Sequence, residues 1–143
     1  MASVIAKKFT KAGNEGKIEL FKSYNPEYGD GEQRRDFLYI KDAIKATLFF
    51  LDRPEVGGVF NVGTGIARSW NDVARAMFSA LEREPRITYV DMPEQLQKQY
   101  QNFTEADISK LRGVGYSEQF TSLEEAVEDY LRNYLLPHRH LAP

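Results

Sequence analysis

The apolar positions begin with a helical period. Met1, Val4, Ile5 and Phe9 recur at the spacing of one helix face, and predict an amphipathic helix over 1–11 that Gly13 and Gly16 end. No capping residue precedes it, so the run reads either as a helix joined after its first turn or as a frayed N-terminal helix. Lys17 to Phe21 predicts a short strand, and the polar, aperiodic stretch 22–33, with Pro26, Gly29 and Gly31, predicts a long surface loop of the kind that carries function. Arg35 to Ile40 alternates polar and aromatic residues as a strand does, and Asp42 is the expected cap of a helix running to about Leu51.

Pro54, Gly57 and Gly58 interrupt the pattern before a buried strand predicted over Val59 to Val62 and a turn at Gly63-Thr64-Gly65. Asn61 is expected to fix that turn through its side chain. Ser69 and Asp72 form a capping box opening a helix to about Leu81, with Val73, Met77, Phe78 and Leu81 as its apolar stripe. Ile87 to Val90 predicts a strand, Pro93 to Leu96 a helical turn, and Thr104 with Asp107 a helix ending near Leu111. Thr121 and Glu124 predict a further capping box, before a last helix buried through Leu123, Ala126, Val127, Tyr130, Leu131 and Tyr134. The layout is mixed α and β, an α/β chain with α+β character, with too few sequential βαβ units for a doubly wound sheet.

With 143 residues, 42% of them apolar, the chain suits one ordinary domain over 1–136 and a tail over 137–143. Its formal charge of −2, with acids and bases interspersed, argues against nucleic acid as a partner. The absence of cysteine excludes disulfides, thiolate zinc sites and cysteine nucleophiles. Ala43 to Leu51 is too short and too interrupted to span a bilayer, so no membrane partner is expected and a cytoplasmic setting is.

Gly63-Thr64-Gly65 followed by a helix, with Asp91 closing a later strand, has the order of a dinucleotide site. The position that needs a third small residue is Arg68, so a plain glycine turn is the preferred reading. No tyrosine of the eight is followed four residues later by lysine, so the Tyr-x-x-x-Lys acid/base pair is absent. His138 and His140 stand in a basic tail and read as solvated. Arg34 and Arg35 close the long loop and enter an aromatic strand, where a guanidinium can fork onto a phosphate; pairing with Asp30, Glu32 or Asp36 is the equal alternative.

Two segments, Arg35-Asp36-Phe37-Leu38-Tyr39-Ile40-Lys41-Asp42 and Gly58-Val59-Phe60-Asn61-Val62-Gly63-Thr64-Gly65, resemble those of extended short-chain dehydrogenases that act on nucleotide sugars. More narrowly, Met1-Ala2-Ser3-Val4, Leu20-Phe21-Lys22-Ser23 and 100–107 are similar to the C-terminal region of the ADP-glycero-manno-heptose 6-epimerases. The resemblance runs from Met1 to about Tyr134. It implies a small mixed substrate-binding domain, with an N-terminal Rossmann half, carrying NADP and the Tyr/Lys pair, absent from this chain.

The intact enzyme so implied inverts C6 of ADP-heptose through NADP for lipopolysaccharide inner-core synthesis. This part would bind the nucleotide sugar but no cofactor, and would be inactive alone. Arg35 would hold the diphosphate and Tyr100 lie near it or the sugar; Phe21, Lys22, Ser23 and Tyr24 would surround the nucleotide, and Lys7 would take a place facing the substrate. Another nucleotide-sugar epimerase or dehydratase, or a non-catalytic binding or interaction module, are the alternatives. Surface left by a missing Rossmann half, on the first helix and the Phe60 strand, predicts a homo-oligomer.

Overall fold

The structure is a computed structural model and describes residues 4–137. Met1, Ala2 and Ser3 of the predicted first helix and the His138 and His140 tail lie outside the described residues. In chain order the elements are α1 (Val4–Glu15), β1 (Ile18–Phe21), β2 (Arg34–Asp36), α2 (Ile40–Leu51), β3 (Ala67–Ser69), α3 (Trp70–Ala80), β4 (Ile87–Val90), α4 (Glu94–Gln97), α5 (Ser109–Gly113) and α6 (Leu123–Tyr130), which continues as one π-helical turn over Leu131–Leu135.

Helix α3 is the centre of the molecule because its apolar residues are not confined to one narrow stripe. Val73, Ala74, Ala76, Met77, Phe78 and Ala80 are all buried, with Met77 and Phe78 wholly enclosed. They pack against Ala12 of α1, Ile18 and Leu20 of β1, and Leu123, Val127, Leu131 and Leu135 of the last helix. The predicted capping box holds it in place: Ser69 Oγ accepts from the Asp72 N–H at 3.0 Å and Asp72 Oδ2 from the Ser69 N–H at 3.1 Å. A second, smaller cluster joins Ala46 of α2 to Leu111 and Tyr116, with Phe49, Phe50, Val62 and Phe120 around it.

The strands form two small pairs. β1 runs parallel to β4, Ile18 opposite Ile87 and Phe21 opposite Val90. β2 runs antiparallel to β3, Arg34 opposite Ser69 and Asp36 opposite Ala67. β2 is shorter than the predicted 35–40 strand, since Phe37 turns away to meet Trp70 edge-on at 5.1 Å and the chain enters α2 at Ile40. Val59 to Val62 is not a strand: Phe60 stacks on Phe50 at 4.7 Å, and Ala67 to Ser69 pairs with β2 instead.

Three predicted caps are corrected. Asp42 is not the N-cap of α2, which is Tyr39; it is wholly buried inside the first turn and accepts from the Thr121 N–H at 2.7 Å and Lys45 at 3.1 Å. Burial pushes its carboxyl up, but the bonds from Thr121 and Lys45 together outweigh that and leave it below the ordinary range. The box of α6 is Ser122 with Glu125, one residue later than Thr121 with Glu124. Both frames satisfy the pattern, but Thr121 is spent on Asp42 and Glu124 on Arg68 at 2.7 Å. The helix expected from Thr104 starts only at Ser109, whose N–H donates to Asp107 at 2.9 Å, because 104–108 is drawn across β2 and the Gly63 turn.

The start of α2 is tied to α6 through Asp129, which accepts from the Tyr39 hydroxyl, from Lys41 at 2.6 Å and from Asn133 at 2.7 Å. Lys41 and Tyr39 hold the Asp129 carboxyl down at about 2, whereas burial and then the Asp129 bond push the Tyr39 phenol up to about 12. A depressed carboxyl stabilises the fold above its unfolded value of about 3.9 and loses that contribution as pH falls through its folded value. Stability to urea is therefore expected to drop between pH ~4 and ~2, and Asp129→Asn to flatten that part of the curve; equal acid sensitivity in both proteins would refute the assignment.

Candidate functional site

The parallel strands β1 and β4 end side by side, and the segments leaving them, 22–33 and 91–98, face each other at their carboxyl ends, where ligands of parallel sheets bind. The pairing runs one step past β1, with the Lys22 N–H donating to the Val90 carbonyl at 2.9 Å. Lys22 Nζ then crosses to Asp91 at 3.0 Å, and that hydrogen bond and charge raise the lysine pKa. Exposed Tyr24 stands over an open cleft of about 580 Å³ shared with Asp91, Met92, Pro93, Glu94, Gln97 and Lys98.

A second, almost wholly apolar pocket of about 210 Å³ is lined by Lys8, Leu20, Phe21, Trp70 and Tyr100. Arg35 lies against it, its guanidinium carbon 5.1 Å from the centre of the Tyr100 ring. Tyr100 is brought there by the chain after it, which runs along β2: the Arg34 N–H donates to the Asn102 carbonyl at 2.8 Å, and Thr104 N–H to the Arg34 carbonyl at 3.2 Å. Arg35 Nη1 donates to the Arg34 carbonyl at 2.7 Å and has no carboxylate partner among the described residues. The acids that could neutralise it are engaged elsewhere: Asp30 with the Ser23 N–H at 2.8 Å, Glu32 with Asn71 at 2.5 Å, and Asp36 with the Gly63 turn. The ion-pair alternative for Arg35 is thus not what the fold builds.

Of the expected residues, the fold brings Phe21 and Tyr100 into one pocket with Arg35 on the Tyr100 ring, and places Tyr24 on the open cleft, with Lys22 paired to Asp91 of its lining. Ser23 turns into its own loop, its hydroxyl donating to the Asn25 carbonyl at 2.9 Å. Lys7 is exposed on α1, and its neighbour Lys8, about 100° round the helix, lines the pocket instead. The sequence pattern did not single out Lys8 or Trp70. Trp70 is masked because it begins the apolar run of α3; Lys8 has only its helical offset from Ile5 and Phe9 to mark it.

The Gly63 turn is not a phosphate loop. The N–H groups that such a loop aims at a pyrophosphate are here aimed at Asp36: Oδ1 accepts from Thr64 N–H at 2.8 Å and Thr64 Oγ1 at 2.6 Å, and Oδ2 from Gly65 N–H at 2.9 Å and Ala106 N–H at 3.2 Å. A Cβ on Gly63 would lie 2.6 Å from Asp36 Oδ2 and 2.5 Å from Ala106 Cβ, so glycine is required for this closure. The residues present do not fit a nicotinamide dinucleotide at this turn. Asn61 does not fix the turn as expected; its amide donates to the Asp107 carbonyl at 3.3 Å. Lys41 lies 5.8 Å from the centre of the Tyr39 ring, but burial and then Asp129 drive that phenol toward its neutral form, the opposite of a catalytic tyrosinate.

Among the described residues no group of three or more metal-ligating side chains converges, and no helix is long and apolar enough to cross a membrane.

The chain and its fold have known counterparts. The model of the NAD dependent epimerase/dehydratase family matches residues 1–63, and the chain is similar to that family. The chain is 53% identical over 135 residues to an ADP-L-glycero-D-manno-heptose-6-epimerase of Nitratidesulfovibrio vulgaris, covering 94% of this chain and 42% of that protein. It is 43% identical over 141 residues to the ADP-L-glycero-D-manno-heptose-6-epimerase of Fusobacterium nucleatum, with the same coverage. The crystal structure of the Helicobacter pylori ADP-L-glycero-D-manno-heptose-6-epimerase superposes with a TM-score of 0.73 at 28% identity, over 99% of this chain and 39% of that one. The chain thus spans about two fifths of the length of these relatives.

Asp36→Ala would leave four donors without their acceptor and is expected to cost about 3 kcal/mol of stability. Urea denaturation followed by circular dichroism measures this, and a loss below about 0.5 kcal/mol would refute the role given to Asp36.

Proposed function

We propose that this chain is the nucleotide-sugar-binding part of an ADP-L-glycero-D-manno-heptose 6-epimerase. The observation that carries the reading is Arg35: a guanidinium with no neutralising carboxylate among the described residues, stacked on Tyr100 beside the Phe21 pocket at the carboxyl ends of two parallel strands. Such a group suits a diphosphate. Phe21, Lys22 and Tyr24 would border the nucleotide, with Ser23 shaping the loop between them, and Tyr100 would lie against the diphosphate or the sugar. Lys7 would reach the substrate only from the exposed side of α1.

Bound NADP would supply the hydride acceptor for inversion at C6 in the complete enzyme. In this reading the cofactor and the acid/base pair belong to the part of the relatives' length that this chain does not span. The chain alone would bind substrate, bind no NADP and turn nothing over, and its setting would be the cytoplasm. Self-association is also part of the proposal, but its basis moves from α1 and Phe60 to α2, where Ile40, Ile44, Leu48 and Leu51 form an exposed apolar row.

Titration calorimetry of the 143-residue chain with ADP-heptose and, separately, with NADP tests this. Binding of ADP-heptose that weakens about tenfold or more in Arg35→Ala, with no heat from NADP, is expected; no heat from ADP-heptose would overturn the reading. Light scattering should give a mass above that of the monomer at tens of micromolar, and a monomeric mass would remove the proposal of self-association.

A further inference from the structure

Asn71, the second residue of α3, is 4% exposed, and all its side-chain polar atoms are engaged. Nδ2 donates to the Asp30 carbonyl at 2.9 Å and the Glu32 carboxylate at 2.5 Å, and Oδ1 accepts from the Tyr89 hydroxyl at 3.0 Å. Its backbone N–H donates to the Gly31 carbonyl at 3.0 Å. Gly31 lies so close, at a φ of +72°, that a Cβ there would sit 2.4 Å from Asn71 Oδ1.

The opposite side of the same loop segment holds the binding rim. The Gly31 N–H donates to the Phe21 carbonyl at 3.2 Å, Asp30 accepts from the Ser23 N–H at 2.8 Å, and the buried Gln33 amide donates to the Lys22 carbonyl at 3.4 Å. The loop has little apolar packing to shape it: Tyr24, Pro26, Glu27 and Gly29 are all exposed. A surface loop without a core of its own keeps its form through such polar bonds.

We propose that Asn71 is a positioning residue for the nucleotide-sugar site. By clamping 30–32 between α3 and the Phe21–Ser23 rim, it fixes the reach of that rim and the entry of the chain into Arg35. It touches no ligand itself. The inference rests on the binding function proposed above, and the experiment separates the two.

Asn71→Asp keeps the volume and the acceptor for Tyr89, and it suits the first turn of a helix. It also sets a carboxylate against Glu32 and removes the donor to the Asp30 carbonyl. Adding Glu32→Gln returns a donor between the two side chains. Calorimetry with ADP-heptose and amide exchange at Ser23 and Gly31 are read well below the melting temperature. The single variant is expected to bind about tenfold more weakly or worse, with faster exchange at both amides and a melting temperature close to that of the parent; the double variant is expected to regain most of the affinity. Unchanged affinity or unchanged exchange in Asn71→Asp overturns the positioning role, and so does a double variant that regains neither. If the parent chain gives no heat with ADP-heptose, the site reading has failed and this inference falls with it.

Discussion

The Asp36 carboxylate is the constraint on which the site depends. Three N–H groups and one hydroxyl, from the Gly63 turn and from Ala106, converge on its two oxygens. A carboxylate loses hydration when it is enclosed, and it is stable in that position only if its acceptor capacity is filled. Filling it draws two segments distant in sequence onto the end of β2. The residue before Asp36 is Arg35, and the segment that contains Ala106 also carries Tyr100. One structural acid therefore fixes the distance between the cation and the aromatic ring that make up the candidate diphosphate site.

The same device recurs elsewhere. Asp42 is buried in α2 and takes the Thr121 N–H, which sets where α6 begins; Asn71 is buried at the start of α3 and joins the 30–32 segment of the long loop to Tyr89 of β4. These polar groups join elements that apolar packing leaves apart. The core around α3 unites α1, β1 and the last helix, but it does not reach the loop at 22–33 or the segment at 104–108. In this fold apolar burial supplies stability, and a few satisfied buried polar side chains supply geometry.

A good part of this was legible in the chain. β1, β4 and α3 follow from local period and capping chemistry, and they appear where the pattern puts them. Arg35 was legible as a rigid cation after a glycine-rich loop. Its freedom from a carboxylate was not, since Asp30, Glu32 and Asp36 are all near it in sequence, and only their distant partners take them away. Lys8 was hidden for a related reason, as the face of α1 that meets the pocket depends on how the helix lies on β1.

Periodicity and capping are properties of neighbours along the chain, so the sequence by itself determined the class of fold, most of its helices and Arg35 as the candidate cation of the site. Hydrogen-bond partners far apart in sequence are chosen only when the chain closes on itself. That is why tertiary structure decided the Ser122 frame of α6, the failure of Val59 to Val62 to pair, and the closure of the Gly63 turn around Asp36 rather than around a dinucleotide. A capping pattern or a glycine turn states what a segment can bind, and the acceptor that arrives decides what it does bind.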